Sequence, residues 1–158
     1  MKYSKEYFMK EALKEAKKAM MKDEVPIGAV IVKDNKIVAR SHNLLETKKS
    51  SIAHSEILAI DKACKKLENW RLNNCDIYVT VEPCPMCAGA ILNSRIRKVY
   101  YGTIDEKSGA ITSNSNLFDM NNTFCNHKVE YEKNVLEGDC KALLKDFFTK
   151  LRKKSNSN

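Results

Sequence analysis

The stretch Asp76-Ile77-Tyr78-Val79-Thr80-Val81-Glu82-Pro83-Cys84-Pro85-Met86-Cys87 decides how this chain is built. Its first six residues are β-branched or aromatic after the opening acid, which reads as a buried strand over 76–81. Pro83 has no backbone N–H to give a sheet, so the strand stops there, and residues 84–93 are compatible with a helix. The order is strand, stop, helix, with two thiols at the helix start.

Working outward, residues 4–22 carry Phe8, Ala12, Ala16 and Ala19 at helical spacing among lysines and glutamates, with Ser4 as N-cap. Residues 27–32 and 36–40 read as short strands joined by a hairpin turn at Asp34-Asn35, and a polar loop covers 43–51. A helix over 52–67 sets Ile57, Ile60, Ala63 and Cys64 on one side and places His54 and Glu56 in its opening turn. Short strands follow at 98–101 and 128–131, then a helix over 136–152. Residues 102–123, rich in Ser and Asn, read as a loop with a short helix around 117–120. The alternation predicts a three-layer α/β/α fold with a central mixed five-stranded sheet.

At 158 residues, 43% hydrophobic and 30% charged, the chain fits one globular domain. Residues 1–152 are read as that domain and 153–158 as a flexible basic tail. The amino terminus lacks the apolar stretch of a signal peptide, and the longest apolar runs are too short to span a bilayer. These features predict a soluble cytoplasmic protein with no membrane partner. The net charge of +8 suits a polyanionic partner, and equally a solvated lysine-rich surface.

Six cysteines in a chain read as intracellular favour metal binding over a disulfide framework. Cys84 and Cys87, three positions apart at a helix start, can both reach one ion, and the helix N-terminus favours their thiolate forms. Cys64, Cys75, Cys125 and Cys140 are read as small buried side chains. Among the three histidines, His54 is the candidate nitrogen ligand because Glu56 lies two residues on, whereas His42 and His127 lack such a companion. One nitrogen and two thiolates leave a fourth tetrahedral position open, the mark of a catalytic rather than a structural zinc site. Taken alone, Cys-x-x-Cys can be redox-active and His-x-Glu can simply open a helix. Their ordered combination matches the zinc deaminase pattern. In that chemistry zinc makes water nucleophilic near neutral pH, and Glu56 accepts the water proton, delivers it to a ring nitrogen of the base and later helps protonate the departing amine.

The chain resembles the bacterial tRNA-specific adenosine deaminase family, within the cytidine deaminase-like superfamily. The resemblance rests on residues 24–30 (Glu-Val-Pro-Ile-Gly-Ala-Val), on 78–91 around the two cysteines, and on Ser94-Arg95-Ile96. It continues through 102–110, 126–130 and the terminal Asp146-Phe147-Phe148. It covers roughly residues 5–152 and is poor over 112–124. It implies a cytidine deaminase-like fold, one zinc ion per subunit, a homodimer, and conversion of the wobble adenosine of a tRNA anticodon to inosine, with no DNA substrate. The target base must be flipped out, because the reacting carbon is inaccessible in a stack. The resemblance also makes Asn43 a substrate-binding residue of the pocket and Asp105 one of a loop near the RNA strand.

Ser55, where the family commonly has Ala, and Thr103, often Ala, depart from the pattern without removing a ligand. Phe147 joins Leu136, Cys140, Leu143 and Leu151 in a helical stripe and reads first as packing. Two other readings stay open: a deaminase of a free base or nucleoside such as guanine or cytidine, and a noncatalytic RNA-binding module with structural zinc, which would have no need of Glu56.

Overall fold

The computed structural model describes residues 2–118 and 126–156. Helix α1 (Lys5–Met21) is capped by the Ser4 hydroxyl, which accepts from the Tyr7 N–H. It leads to strands β1 (Gly28–Lys33) and β2 (Lys36–His42). Asp34 and Asn35 join them with φ of 51° and 61°, the left-handed pair that a tight two-residue hairpin requires. After the short helix α2 (Leu45–Lys48) come α3 (Ser55–Leu67), β3 (Cys75–Val81), α4 (Pro85–Asn93), β4 (Lys98–Thr103), β5 (Glu130–Glu132) and α5 (Glu137–Asn156).

The sheet order is β2-β1-β3-β4-β5. β1 pairs antiparallel with both β2 and β3, whereas β3–β4 and β4–β5 are parallel, so the sheet is mixed as expected. Side chains alternate across it. Ile77 and Val79 join Ala29, Ile31, Val99 and Tyr101 on the face covered by Ala59, Ala63, Ala88 and Ile91 of α3 and α4. Val30, Val32 and Tyr78 project oppositely, onto Phe8, Met9 and Ala12 of α1 and Cys140 of α5. Removing a fully buried member such as Leu72 by mutation to Ala would cost about 2–5 kcal/mol. Gly28 lets α1 approach this closely, because a Cβ there would run into the backbone at Ala12 and Ala16.

Several boundaries differ from the sequence reading, each for a tertiary reason. Helix α3 begins at Ser55 rather than 52, where the Asn43 side-chain oxygen accepts the Ser55 N–H. The 43–51 loop contains α2, whose first N–H groups, from Glu46 and Thr47, donate to the Glu24 carboxylate, an acceptor from a distant segment. The last strand lies at Glu130–Glu132 rather than 128–131. Helix α5 continues through residues 153–156, set apart above as tail, with Lys153 and Lys154 at the end that favours cations. Its apolar stripe loses its cover along the way: Cys140 is buried, Phe147 half-buried and Leu151 51% exposed. The short helix expected around 117–120 falls partly outside the described residues, and Leu117 and Phe118 form a turn.

Candidate active site

Two helices begin at one place. His54 is the N-cap of α3 and Cys84 the N-cap of α4, with Pro85 opening the latter. Neither side chain caps its own helix. Both turn toward each other and toward Cys87, in the first turn of α4. His54 thus sits just ahead of its helix rather than in its opening turn. The His54 Nδ1 lies 3.7 Å from the Cys84 Sγ and 3.5 Å from the Cys87 Sγ. A tetrahedral ion with bonds of about 2.0 Å to nitrogen and 2.3 Å to sulfur needs nitrogen–sulfur separations of about 3.6 Å. The donor set and its spacing therefore fit zinc. Among the described residues this is the one His, Cys and carboxylate group close enough to hold a metal.

The site is electropositive by construction, since two helix N-termini converge on it. The hydrogen bond with Cys87 pulls Cys84 down to about 4, against its burial, and the same contact together with burial raises Cys87. His54 is raised by its hydrogen bond with Cys84, against burial.

Glu56, in the first turn of α3, is 4% exposed. Burial pushes its carboxyl above the usual range, opposed by the Ser55 hydroxyl, which donates to Oε1 at 2.6 Å. A carboxyl tuned toward neutrality is suited to carrying protons. Ser55 itself is fully buried, so its hydroxyl serves Glu56 rather than the solvent side of the pocket.

Asn43 directly follows β2, bonded to Ser55 at the start of α3, and is 5% exposed. Its oxygen is committed to Ser55, and its own N–H donates to the Ile27 carbonyl, which leaves the side-chain NH2 as the group it can offer a ligand. Asp105 lies in the loop after β4, where Oδ1 accepts from the Lys107 and Ser108 N–H groups and Oδ2 from the Ser108 hydroxyl. Both of its oxygens shape their own turn.

The sequence reading overlooked Glu82, two residues before Cys84 and 3% exposed. Its Oε1 accepts from the Asp105 N–H and the Ser113 hydroxyl, and Oε2 from the N–H groups of Ile111, Thr112 and Ser113. Burial raises this carboxyl, but the Ser113 hydroxyl and the backbone donors outweigh it and hold it below the usual range. The available signal was an acid directly following the apolar strand β3, a position that demands buried partners.

The remaining candidates stand apart from the metal group. His42 Nδ1 lies 3.0 Å from Glu15 and its Nε2 3.0 Å from the Lys22 amine, while His127 Nε2 lies 2.6 Å from the Ile96 carbonyl oxygen. Cys75 and Cys140 are buried as expected and Cys64 is half-buried; Cys125 falls outside the described residues. A groove of about 660 Å³ runs between the 103–108 segment and α5, with Val25, Ile27, Val81, Lys141 and Phe148 on its walls.

Comparison with known proteins agrees with this geometry. The MafB19-like deaminase family matches residues 3–152. A tRNA-specific adenosine deaminase of Bacillus subtilis (strain 168) is 52% identical over 152 residues, 96% of this chain and 93% of the relative. One from Aquifex aeolicus (strain VF5) is 47% identical, covering 94% and 96%. A solved tRNA:A34 deaminase, studied for A-to-I editing at the wobble position of transfer RNA, superimposes with a TM-score of 0.83 at 43% identity, covering 87% of this chain and 99% of the other. The chain belongs to the MafB19-like deaminases and to the tRNA-specific adenosine deaminase family, enzymes on a cytidine deaminase-like fold.

Proposed function

We propose that this deaminase hydrolyses the wobble adenosine of a tRNA anticodon to inosine and releases ammonia, with one zinc ion per subunit held by His54, Cys84 and Cys87. The observation that carries the reading is the buried Glu56 carboxyl placed beside that ligand group. When bound there, zinc would supply the Lewis acidity that makes water a nucleophile near neutral pH. Glu56 accepts one proton of the attacking water and passes it to a ring nitrogen of the base, then takes the second proton from the newly formed hydroxyl and delivers it to the leaving amine. Water and adenosine give inosine and ammonia, and Glu56 ends as it began.

Asn43 offers its free NH2 to the flipped nucleoside, its orientation fixed by the bond from Ser55. Asp105 serves RNA binding through the shape of its loop. The groove between residues 103–108 and α5, with the Lys141 amine and the 41% exposed Phe148 ring, suits a single strand that needs phosphate contacts and a stacking surface. Dimerisation through α4 is supported by an exposed apolar face of Ile52, Ile57, Met86, Ala90 and Leu117. No helix among the described residues is long and apolar enough to cross a membrane. A tRNA substrate places the enzyme's work in the cytoplasm.

The direct test offers matched anticodon stem-loops with A or C at the wobble position to metal-quantified protein. Inosine formed from A alone supports the assignment. Efficient turnover of guanine or a free nucleoside, with the stem-loops untouched, would replace it with a small-molecule deaminase.

A further inference from the structure

Glu82 joins two parts of the molecule that the proposed reaction needs at once. On the chain side it precedes Pro83 and Cys84, and the Pro83 carbonyl accepts the Ala110 N–H. Its own backbone N–H donates to the Thr103 carbonyl at the end of β4. On the loop side its two oxygens gather five donors from residues 105, 111, 112 and 113. Gly109 completes the fit: a Cβ there would collide with the Glu82 carboxyl and the Asp105 carbonyl. Residues 104–108 form one wall of the groove whose opposite wall is Lys141, Leu144 and Phe148 of α5. Val81 and Ile27 also line that groove, and Ile27 accepts the N–H of Asn43. The groove's walls are therefore tied to the candidate site through the chain, by Val81 three residues before Cys84 and by the Ile27–Asn43 bond.

We propose that Glu82 is a positioning residue for substrate: its carboxylate sets the 104–113 loop in the one arrangement that leaves the groove open to an RNA strand beside the metal group. The inference rests on the functional reading above and extends it to how the RNA is presented. A carboxylate is the side chain that suits the task, because every group it meets is a donor and it alone offers two acceptor oxygens with no N–H of its own. Glutamine keeps the size but turns one acceptor into a donor. The Ser113 hydroxyl can reverse its role toward that NH2, whereas the Asp105 N–H cannot. Glu82→Gln therefore frees the Asp105 end of the loop while the 111–113 end stays tied.

A loop that visits the competent arrangement only part of the time raises the apparent dissociation constant by the inverse of that fraction and leaves the chemistry of bound substrate alone. Plain destabilisation behaves differently: it removes active enzyme, so apparent kcat falls at unchanged KM. The test takes wild type and Glu82→Gln at equal bound metal, measures kcat and KM on the wobble-A stem-loop, and follows amide hydrogen exchange in both. The expected result is a KM raised tenfold or more, kcat within threefold, and faster exchange confined to residues 104–110. Gly109→Ala attacks the same contact from the loop side and should give the same KM signature, which keeps the test available if Glu82→Gln does not fold. Unchanged kinetics and exchange, or a kcat loss at constant KM in both variants, would overturn the inference. A wild-type enzyme inert on the stem-loop would instead overturn the substrate assignment, a failure seen before any variant is compared.

Discussion

Glu56 and Glu82 are the same residue in nearly mirrored positions, one two residues after His54 and the other two before Cys84. They are almost equally buried, at 4% and 3% exposure. Yet Glu56 receives one side-chain donor, the Ser55 hydroxyl, and its carboxyl is raised by burial, while Glu82 receives five donors that outweigh burial and hold it down. Burial alone therefore assigns no role to an acid. The number of donors decides whether it is a group that gains and loses a proton or a permanent anion that ties loops together. Glu24 belongs with Glu82: 2% exposed, it accepts from the Glu46 and Thr47 N–H groups and the Thr47 hydroxyl.

The strongest way to break this contrast is to remove the charge that Glu56 works beside. Cys84→Ala should abolish metal binding and deamination together and lower the thermal midpoint, checked by metal analysis, inosine assay and melting. Next in size, Glu56→Gln should keep metal and fold while slowing deamination by about 10²–10⁴-fold, the usual contribution of a positioned proton carrier. A comparable kinetic loss in Glu24→Gln would dissolve the distinction, since that residue is assigned a structural part.

Glu24→Gln is instead expected to cost about 1–3 kcal/mol of stability, as loss of a buried acceptor does, and to lower the melting temperature by several degrees. The pH dependence sharpens this. Burial pushes Glu24 up, but the Thr47 hydroxyl and N–H and the Glu46 N–H prevail and leave its carboxyl below the usual range. A depressed folded-state pKa contributes stability in full above the unfolded value, near 4, and loses it as pH falls from there through the folded value. Melting temperature measured from pH 6 downward should fall through that window more steeply in wild type than in Glu24→Gln. The smallest effect belongs to Ser55→Ala. Losing one hydroxyl bond worth about 1 kcal/mol to the Glu56 carboxylate should lower kcat about fivefold with metal unchanged.

How much of this was legible follows from the kind of signal each residue leaves. The strand at Cys75–Val81 and the helix after it were plain, because a β-branched run ending in proline has few other readings. His54, Cys84 and Cys87 were legible because ligand chemistry restricts both residue type and spacing, and the structure brings all three together. The partners of Glu82 and Glu24 left no local pattern, since these donors arrive from segments 23 and 22 residues or more away in the chain, and for Glu82 only its place after an apolar strand hinted at burial. The start of α3 was misplaced for the same reason, its first N–H being met by Asn43 from across a loop. The burial stripe of α5 was overextended because helical spacing records which residues share a face, not where the sheet beneath them ends.

The most direct test of the central claim is inosine formation in a wobble-A anticodon stem-loop by wild type and Glu56→Ala at equal, measured zinc content. Wild type should convert the adenosine, and the variant should lose that conversion while still holding zinc and melting cooperatively. Full activity in zinc-loaded Glu56→Ala would contradict the claim, because the proton would then be moving without the one buried carboxyl placed to carry it.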